Sequence, residues 1–332
     1  NRLPSISKQY FSQSRVNPFR FAFPLTPTNL SPLNLYFKQM TTSTTTNLSD
    51  IEDLNQSCGF KRAELLDETI SCADSVSDYQ KHVFLLTNVK PTLWSESIGH
   101  TGGMRLLKKQ FAARSLQLGL KTKITLAFDE NVDVDKETAS VNNVDEDQQG
   151  PDDSPSPPNR FALLLFPNNV QIQTKDASTE SIEELLDFVY KQSSIAEDNN
   201  ADGGETKASE NLEIKNLQQT SIFVCSHANR DQRCGYCGPR LQKAIDLEVE
   251  KNNSTPVKTF PCSHVGGHKF AGNVLVFSKQ IQGEWFGYVT PDTVPSLLQY
   301  INDKQTAPDD TTLPPTLQSL FRGKMNVVPN KQ

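Results

Sequence analysis

The pattern of hydrophobic and polar positions repeats in two stretches of the chain. Short apolar runs bounded by turn-forming residues predict strands, whereas apolar residues spaced three or four positions apart predict helices. In both stretches the predicted order is strand, helix, strand, strand, strand, helix. The first stretch predicts elements at 82–87, 104–118, 123–128, 161–166, 170–173 and 182–192, and the second predicts them at 221–225, from after Pro239 to about 251, and at 257–260, 274–278, 285–290 and 294–302.

The repeated order determines the predicted fold class. Helices that cover a mixed sheet in this order are compatible with a thioredoxin-like layer. We therefore predict an α/β protein of two thioredoxin-like β-α-β-β-β-α halves, residues 58–192 and 211–304. The polar segment 193–210, which contains Asp-Asn-Asn-Ala-Asp-Gly-Gly, predicts a linker between the halves, and 305–332 are assigned to a C-terminal tail.

The N-terminal segment has a different composition. Residues 1–48 contain no Asp or Glu and five Lys or Arg among many Ser, Thr, Pro and Phe, which is typical of an organellar transit peptide. The chain does not begin with Met, however, and its first Met is Met40. Two interpretations stay open: a transit peptide with a mitochondrial or plastid location, or translation from Met40 and a cytoplasmic location. In either case, 1–49 are expected to be a disordered tail.

Charge and hydrophobicity argue against two classes of partner, nucleic acids and membranes. Residues 129–159 hold ten acidic residues, one Lys and a Pro-rich end, so we predict a disordered acidic insertion in the first half. The whole chain carries a net charge of -6 and has no block of Lys or Arg, which argues against a nucleic-acid partner. No apolar run approaches the ~20 residues that span a bilayer, so a membrane partner is not expected either.

Soft metal donors are concentrated in the second half. Seven thiols and imidazoles fall within 44 residues, and six cysteines in a chain of this length indicate reduced, metal-binding or redox cysteines rather than a disulfide scaffold. Thiolate and imidazole suit zinc or an iron-sulfur centre, whereas calcium and magnesium need oxygen ligands. The seven donors are Cys225, His227, Cys234, Cys237, Cys262, His264 and His268.

Seven donors exceed a four-coordinate site, and their spacing limits the choice. His264 and His268 are four residues apart, but the Val-Gly-Gly between them favours a loop over a helix. No glutamate lies between them, which argues against metalloprotease chemistry. Cys225 ends a predicted strand, and Cys234 is predicted in the loop before the helix that follows Pro239, where the positive helix end favours a thiolate. Two cysteines and two histidines from two loops could therefore form one site.

One string of residues resembles a known family. Cys225-x8-Cys234-Gly-x-Cys-Gly-Pro, followed by His264-Val-Gly-Gly-His268-Lys-Phe-Ala-Gly-Asn, resembles the sucrase/ferredoxin-like family of thioredoxin-like ferredoxins, which includes the altered-inheritance-of-mitochondria group. A weaker resemblance covers about residues 58–330. It implies that 211–304 form a thioredoxin-like ferredoxin domain with a 2Fe-2S cluster bound by Cys225, Cys234, His264 and His268. Sucrase activity finds no support, because no carboxylate pair suited to glycoside hydrolysis is identifiable.

The implied ligands predict an electron-transfer protein rather than an enzyme. Two imidazoles in place of two thiolates should raise the reduction potential, and a titratable N–H on a bound histidine would couple electron transfer to a proton. The sequence does not identify the redox partner protein. Cys237 could take part in redox chemistry, and Cys262 and His227 are expected to pack around the ligands. Arg233, Lys269 and Asn273 are expected to hydrogen-bond the cluster or its ligands.

Two alternatives from other classes stay open. Cys234 and Cys237 could be the dithiol of a dithiol-disulfide oxidoreductase, although Cys234 could not then also bind iron. The four implied ligands could instead bind structural zinc in an interaction module. The first half is expected to bind no metal, because its donors lie at no chelating spacing: Cys58, Cys72, His82 and His100.

Overall fold

The computed structural model describes residues 70–101, 104–132, 158–191, 210–252 and 256–326, all within one unit spanning 46–332. The predicted N-terminal tail, most of the acidic insertion and nearly all of the linker lie outside these ranges. The strands are β1 (Lys81–Thr87), β2 (Thr122–Phe128), β3 (Ala162–Phe166), β4 (Val170–Thr174), β5 (Leu212–Asn216), β6 (Thr220–Cys225), β7 (Val257–Cys262), β8 (Val274–Phe277), β9 (Gln282–Phe286) and β10 (Phe321–Lys324). The helices are α1 (Arg105–Leu118), α2 (Thr179–Lys191), α3 (Gln232–Asn252), α4 (Val294–Thr306) and α5 (Pro315–Gln318).

The ten strands form one mixed sheet in the order β10-β9-β8-β6-β7-β2-β1-β3-β4-β5. Each repeat contributes five strands: a parallel pair, β1 with β2 or β6 with β7, is extended on one side by three antiparallel strands. The repeats join where β2 and β7 run antiparallel, with Ala127 opposite Cys262. The protein is therefore a mixed α/β protein in which the two repeats share one sheet.

One face of the sheet in each repeat packs against the same face of the other repeat. The rings of Phe84 and Phe223 stack with centroids 3.5 Å apart, and those of Phe166 and Phe277 lie 4.3 Å apart. These side chains belong to one core, here called the shared core, with residues of β1, β3, β6, β7, β8 and β9. In the sheet order, β7 and β2 lie between β6 and β1, so Phe84 and Phe223 would be far apart in a flat sheet. The sheet must therefore fold back on itself to bring these rings together.

Helices cover the two outer faces. Apolar residues of α1 and α2 pack on the outer face of β1 and β3, and those of α3 and α4 pack on the outer face of β6 and β8. Strands β1 and β6 are consequently buried at every position, which explains their nearly continuous apolar sequences. Each fully buried large apolar side chain contributes about 1.5–3 kcal/mol to folding.

The structure changes the start of one predicted helix. Helix α3 begins at Gln232 instead of after Pro239, so Cys234 lies in its first turn and not in a preceding loop. Tertiary packing outweighs the low helix propensity of this segment. A Cβ on Gly235 would lie 2.4 Å from the Cα of Ala228, and one on Gly238 would lie 2.4 Å from the carbonyl oxygen of Cys225. The two glycines thus let α3 approach the chain that follows β6.

Other predicted elements lie close to the observed ones, with three further differences. Strand β9 ends at Phe286 rather than at 290 because Tyr288 adopts a positive φ of 56°. Strand β5 was not predicted and pairs with β4 of the first repeat. The predicted C-terminal tail contains the unpredicted helix α5 and strand β10, which pairs with β9. In addition, Asp129 at the start of the predicted acidic insertion is ion-paired with Lys258 at 2.7 Å. None of the described helices is long and apolar enough to cross a membrane.

Candidate metal centre

The candidate centre lies at the carboxyl ends of β6 and β7. These strands are parallel neighbours, and their last residues, Cys225 and Cys262, are register partners. The chain leaving β6 leads to the first turn of α3, which carries Cys234. The chain leaving β7 carries His264 and His268. The parallel pair therefore delivers both predicted pairs of donors to the same edge of the sheet.

Three of the four predicted ligands converge. The ligand atoms of Cys225, Cys234 and His264 all lie within 4.8 Å of one another, and Cys234 Sγ is 4.0 Å from His264 Nδ1. Both cysteines are buried, while His264 is partly exposed. Among the ranges that the structure describes, no other group of three or more His, Cys, Asp or Glu has this geometry.

His268, the fourth predicted ligand, lies outside this group. Its ring stacks beside that of His264 with centroids 5.5 Å apart, and 52% of its side chain is exposed. Its Nδ1 is 3.8 Å from Oδ2 of Asp231. Asp231 also accepts two hydrogen bonds from the guanidinium of Arg233, at 3.0 and 2.9 Å, which lower the pKa of its carboxyl group. The carboxylate thus contacts His268 on one side and Arg233 on the other.

The two buried thiols differ in acidity. The Cys234 thiol, as a hydrogen-bond donor, holds the pKa of Cys225 below its usual value, and His264 acts in the same direction. The Cys225 thiolate in turn raises the pKa of Cys234, and burial raises it further. The first proton therefore leaves the pair readily, but the second leaves only if positive charge is nearby. A bound metal cation supplies such charge, since thiol ligands bind as thiolates.

The hydrogen bonds of His227 assign it a supporting role. Its Nε2 lies 2.9 Å from the carbonyl oxygen of Ser95, which can only accept, so Nε2 carries the proton. Its Nδ1 then accepts the backbone N–H of His264 at 3.3 Å. Burial lowers the pKa of His227, consistent with a neutral ring. Both nitrogens are engaged, so His227 positions His264 instead of binding a metal in this arrangement.

Residues 264–268, here called the ligand loop, have no helical turn between the two histidines. Gly266 and Gly267 adopt φ values of 88° and 70°, a region that favours glycine. The carbonyl oxygen of Gly267 accepts a hydrogen bond from Nδ2 of Asn273 at 3.1 Å, and that of Gly266 accepts one from Nη1 of Arg322 at 3.2 Å. The loop predicted from Val-Gly-Gly is confirmed, and Asn273 supports it through the backbone.

The remaining predicted neighbours surround the centre. Cys237 is buried against Ala271 and Tyr288. Cys262 is also buried, and burial raises its pKa well above the usual value. Lys269 places its Nζ over the ring of Phe270, 4.9 Å from the centroid. The structure thus gives Cys237, Cys262 and Lys269 packing positions around the ligand loop and α3.

Sequence reasoning missed two residues that contact this region. Asp231 has no motif that marks it, although it stands next to the predicted Arg233 segment. Arg322 lies on β10, within the segment predicted as a tail, and is 2% exposed. The only signal for Arg322 was the weak family resemblance of the string Leu320-Phe-Arg-Gly-Lys-Met.

The donor set fits a soft or borderline transition metal. Two thiols and an imidazole converge without a carboxylate in the group, which suits zinc or iron and does not suit calcium or magnesium. The ring of His268 lies 5.5 Å from that of His264, at the border of this group. The residues present are therefore compatible with a group held by two cysteines and one or two histidines.

The arrangement is a candidate soft-metal centre at the carboxyl end of a parallel strand pair. The chain belongs to the sucrase/ferredoxin-like family, which matches residues 72–323.

Curated relatives match shorter segments. Altered inheritance of mitochondria protein 32 of Meyerozyma guilliermondii is 38% identical over 88 residues, which cover 26% of this chain and 31% of that protein. The protein of the same name from Candida glabrata is 39% identical over 101 residues, covering 27% and 30%. Actin patches distal protein 1 of Saccharomyces cerevisiae is 35% identical over 107 residues, covering 29% and 33%. The chain thus spans no more than 33% of the length of these three relatives. No solved structure matches it.

Proposed function

We propose that this protein is an iron-sulfur redox protein that holds a 2Fe-2S cluster through Cys225, Cys234, His264 and His268. The convergence of Cys225, Cys234 and His264 within 4.8 Å is the observation that carries the proposal. Membership of a family described as sucrase/ferredoxin-like supports iron over other soft metals. When bound, the cluster would accept and release one electron.

The protein residues define how such a centre would behave. Two neutral imidazoles in place of thiolates leave the centre less negative, so its reduction potential is expected to exceed that of an all-cysteine ferredoxin. Asp231, with Oδ2 3.8 Å from Nδ1 of His268, provides a negative charge beside that nitrogen. A histidine that binds through Nε2 would then keep a proton on Nδ1, the arrangement that links electron transfer to proton transfer.

We also propose that each repeat is a thioredoxin-like layer. The strand orders β2-β1-β3-β4 and β7-β6-β8-β9, each with one parallel pair and helices on the outer face, support this assignment. The fold alone implies no dithiol activity. Cys234 and Cys237 are both buried, at 0% and 1% exposure, which disfavours exchange with an external disulfide.

Partner and location are part of the same proposal. An electron carrier needs a redox partner protein, and the partly exposed edge formed by His264 and His268 is the place where one would approach. The relatives named for inheritance of mitochondria support a mitochondrial link. Imaging of the tagged full chain, with and without residues 1–39, tests whether that segment directs the protein to mitochondria.

The metal proposal is tested by anaerobic purification of the full chain, followed by quantitation of iron, sulfide and zinc and by visible absorption spectra. We expect a coloured protein with about two irons and two sulfides per chain, the content of a 2Fe-2S centre. His268→Cys should keep the iron and lower the potential, because a thiolate adds negative charge. A colourless protein with one zinc would instead support the interaction module, and a colourless metal-free protein would support the dithiol enzyme.

A further inference from the structure

Arg322 is a buried cation whose contacts are all neutral. Its guanidinium donates from Nε to Ser75 Oγ at 2.9 Å and from Nη1 to Asn273 Oδ1 at 2.5 Å, in addition to the bond to Gly266 O at 3.2 Å. The group also lies over the rings of Phe270 and Trp285, with centroid distances of 5.0 and 5.5 Å. With 2% exposure, Arg322 has little access to water.

No carboxylate balances this charge within the described part of the chain. Arg114, Arg230 and Arg233 each form an ion pair with Asp or Glu and are more exposed than Arg322, for which no such pair is found among the described residues. A buried charge without a counter-charge is costly, so a protein that retains one is expected to provide negative charge nearby. Arg322 bonds the ligand loop, which carries His264 of the candidate centre, and thiolates at that centre would supply negative charge once a metal is bound.

The ligand loop is shaped to admit the guanidinium. A Cβ on Gly267 would lie 2.3 Å from Nη2 of Arg322, so the arginine can reach this position only if residue 267 is a glycine. Gly266 provides the carbonyl that Arg322 binds. The second glycine between the two histidines therefore serves the approach of Arg322 as well as the turn itself.

We propose that Arg322 is the positioning residue and the electrostatic counter-charge of the metal centre. It holds the ligand loop through Gly266, and its buried charge favours the more negative, reduced state of the group held by Cys225 and Cys234. This inference rests on the proposed function, and it assigns a role to a residue of β10, far along the chain from the ligands.

Three substitutions in the full chain separate charge from packing. Arg322→Gln removes the charge and keeps a hydrogen-bond donor. Asn273→Asp keeps Arg322 but replaces the amide oxygen that accepts a hydrogen bond from its Nη1 with a carboxylate oxygen. The carboxylate then neutralises the charge of Arg322 locally. Arg322→Lys keeps the charge but loses the fork of donors. Arg240→Gln is the matched control, because this partly exposed arginine of α3 bonds only a carbonyl of its own helix, that of Tyr236, and lies on the ring of Tyr236.

The test measures the midpoint potential of each protein by spectroelectrochemistry, together with iron retained against a chelator. We expect Arg322→Gln and Asn273→Asp to shift the redox equilibrium about tenfold toward the oxidised state, which is about 59 mV for one electron. Arg322→Lys should keep most of the wild-type potential but lose iron faster, because the loop is held less firmly. Arg240→Gln should match the wild type in both measurements.

Several results would overturn the inference. Unchanged potentials in both Arg322→Gln and Asn273→Asp would show that the charge has no influence on the centre. A potential in Arg322→Lys as low as in Arg322→Gln would assign the effect to packing. If Arg322→Gln does not fold, Asn273→Asp and Arg322→Lys still decide. Wild-type protein without iron would overturn the proposed function itself, a result that the metal analysis reveals before any variant is made.

Discussion

The two repeats share one topology but differ in the residues at the carboxyl ends of their parallel strands. Ala127 and Cys262 face each other across the β2–β7 pair, and their register partners are Leu86 in the first repeat and Cys225 in the second. The first repeat therefore has the apolar pair Leu86 and Ala127 where the second has the thiols of Cys225 and Cys262. Both repeats contain this pair of strand ends, but the side chains form a candidate metal centre at the pair in the second repeat.

The first repeat nevertheless contributes to the centre. In the loop after β1, the carbonyl oxygen of Ser95 accepts a hydrogen bond from Nε2 of His227. The carbonyl oxygen of Trp94 accepts one from Nδ2 of Asn229 at 2.7 Å. His227 in turn binds the backbone of His264. The first repeat thus supports the candidate ligands of the second.

Separation of the repeats is expected to have the largest effect. A fragment spanning 218–332 would expose Phe223 and Phe277, whose stacking partners lie in the first repeat, and each such side chain contributes about 1.5–3 kcal/mol when buried. The fragment alone should lack a cooperative unfolding transition and bind no iron, as measured by circular dichroism and metal analysis. Co-expression with residues 1–217 should restore both properties. A folded, iron-containing fragment on its own would contradict the supporting role of the first repeat.

Loss of a thiol should depend on whether the cysteine belongs to the candidate ligand group. Cys225→Ser or Cys234→Ser is expected to remove nearly all of the iron, because a serine hydroxyl is a poor ligand for a soft metal. Cys72→Ser is the control, since Cys72 lies in the first repeat and donates to the carbonyl of Ser319. Cys237→Ser should also retain iron. Bleaching by Cys237→Ser, with iron retained in Cys225→Ser, would mean that the Cys234-x-x-Cys237 pair provides the ligands.

Disruption of the contact between the repeats should have an intermediate effect. His227→Phe fills a similar volume but leaves the backbone N–H of His264 and the carbonyl of Ser95 without their partner. An unsatisfied buried polar group costs about 1–3 kcal/mol, so the urea midpoint should fall. Iron should also be lost faster to a chelator than in Cys72→Ser. Wild-type retention of iron in His227→Phe would show that this contact does not support the ligand loop.

The smallest expected effect concerns His82 of the shared core. Its ring is fully buried, stacks on Phe84 and bonds Thr125 Oγ1 at 2.8 Å, and burial lowers its pKa well below 6.5. The unfolded chain takes up a proton near pH 6.5 while the folded protein does not. Stability should therefore be independent of this group above about pH 6.5 and fall below it, by up to about 1.4 kcal/mol per pH unit. Urea titrations of metal-free protein at pH 7.5 and 5.5 measure this loss.

His82→Gln provides the comparison for that titration. The variant is expected to be less stable at pH 7.5, but its stability should change less between the two pH values because the titrating ring is absent. An equal change in both proteins would assign the pH dependence to other groups.

Local patterns predicted the elements whose signals lie within their own sequence. The buried strands β1 and β6 are short apolar runs, and the family resemblance distinguished Cys225, Cys234 and His264 among seven clustered donors. Elements defined by distant partners were missed. The register of strand β10 shifts between Phe321 and Gly323, and Gly323 has a φ of 131°. Its sequence therefore lacks the regular alternation of apolar and polar residues that predicts a strand.

The features that complete the site could not be deduced for the same reason. Nothing near Arg322 in the sequence indicates that it is buried or that it binds Gly266, 56 residues away. The start of α3 at Gln232 depends on the close approach that Gly235 and Gly238 allow, which is a tertiary effect. Propensity alone argues against a helix through Gly235 and Pro239.

The most direct test of a two-cysteine, two-histidine centre in the second repeat is pulsed electron paramagnetic resonance of the reduced full chain labelled with 15N-histidine. We predict coupling of the unpaired electron to two histidine nitrogens, with one coupling lost in His264→Cys and the other in His268→Cys while iron is retained. A reduced centre with no strong coupling to histidine nitrogen, or an unchanged pair of couplings in both variants, would contradict this prediction.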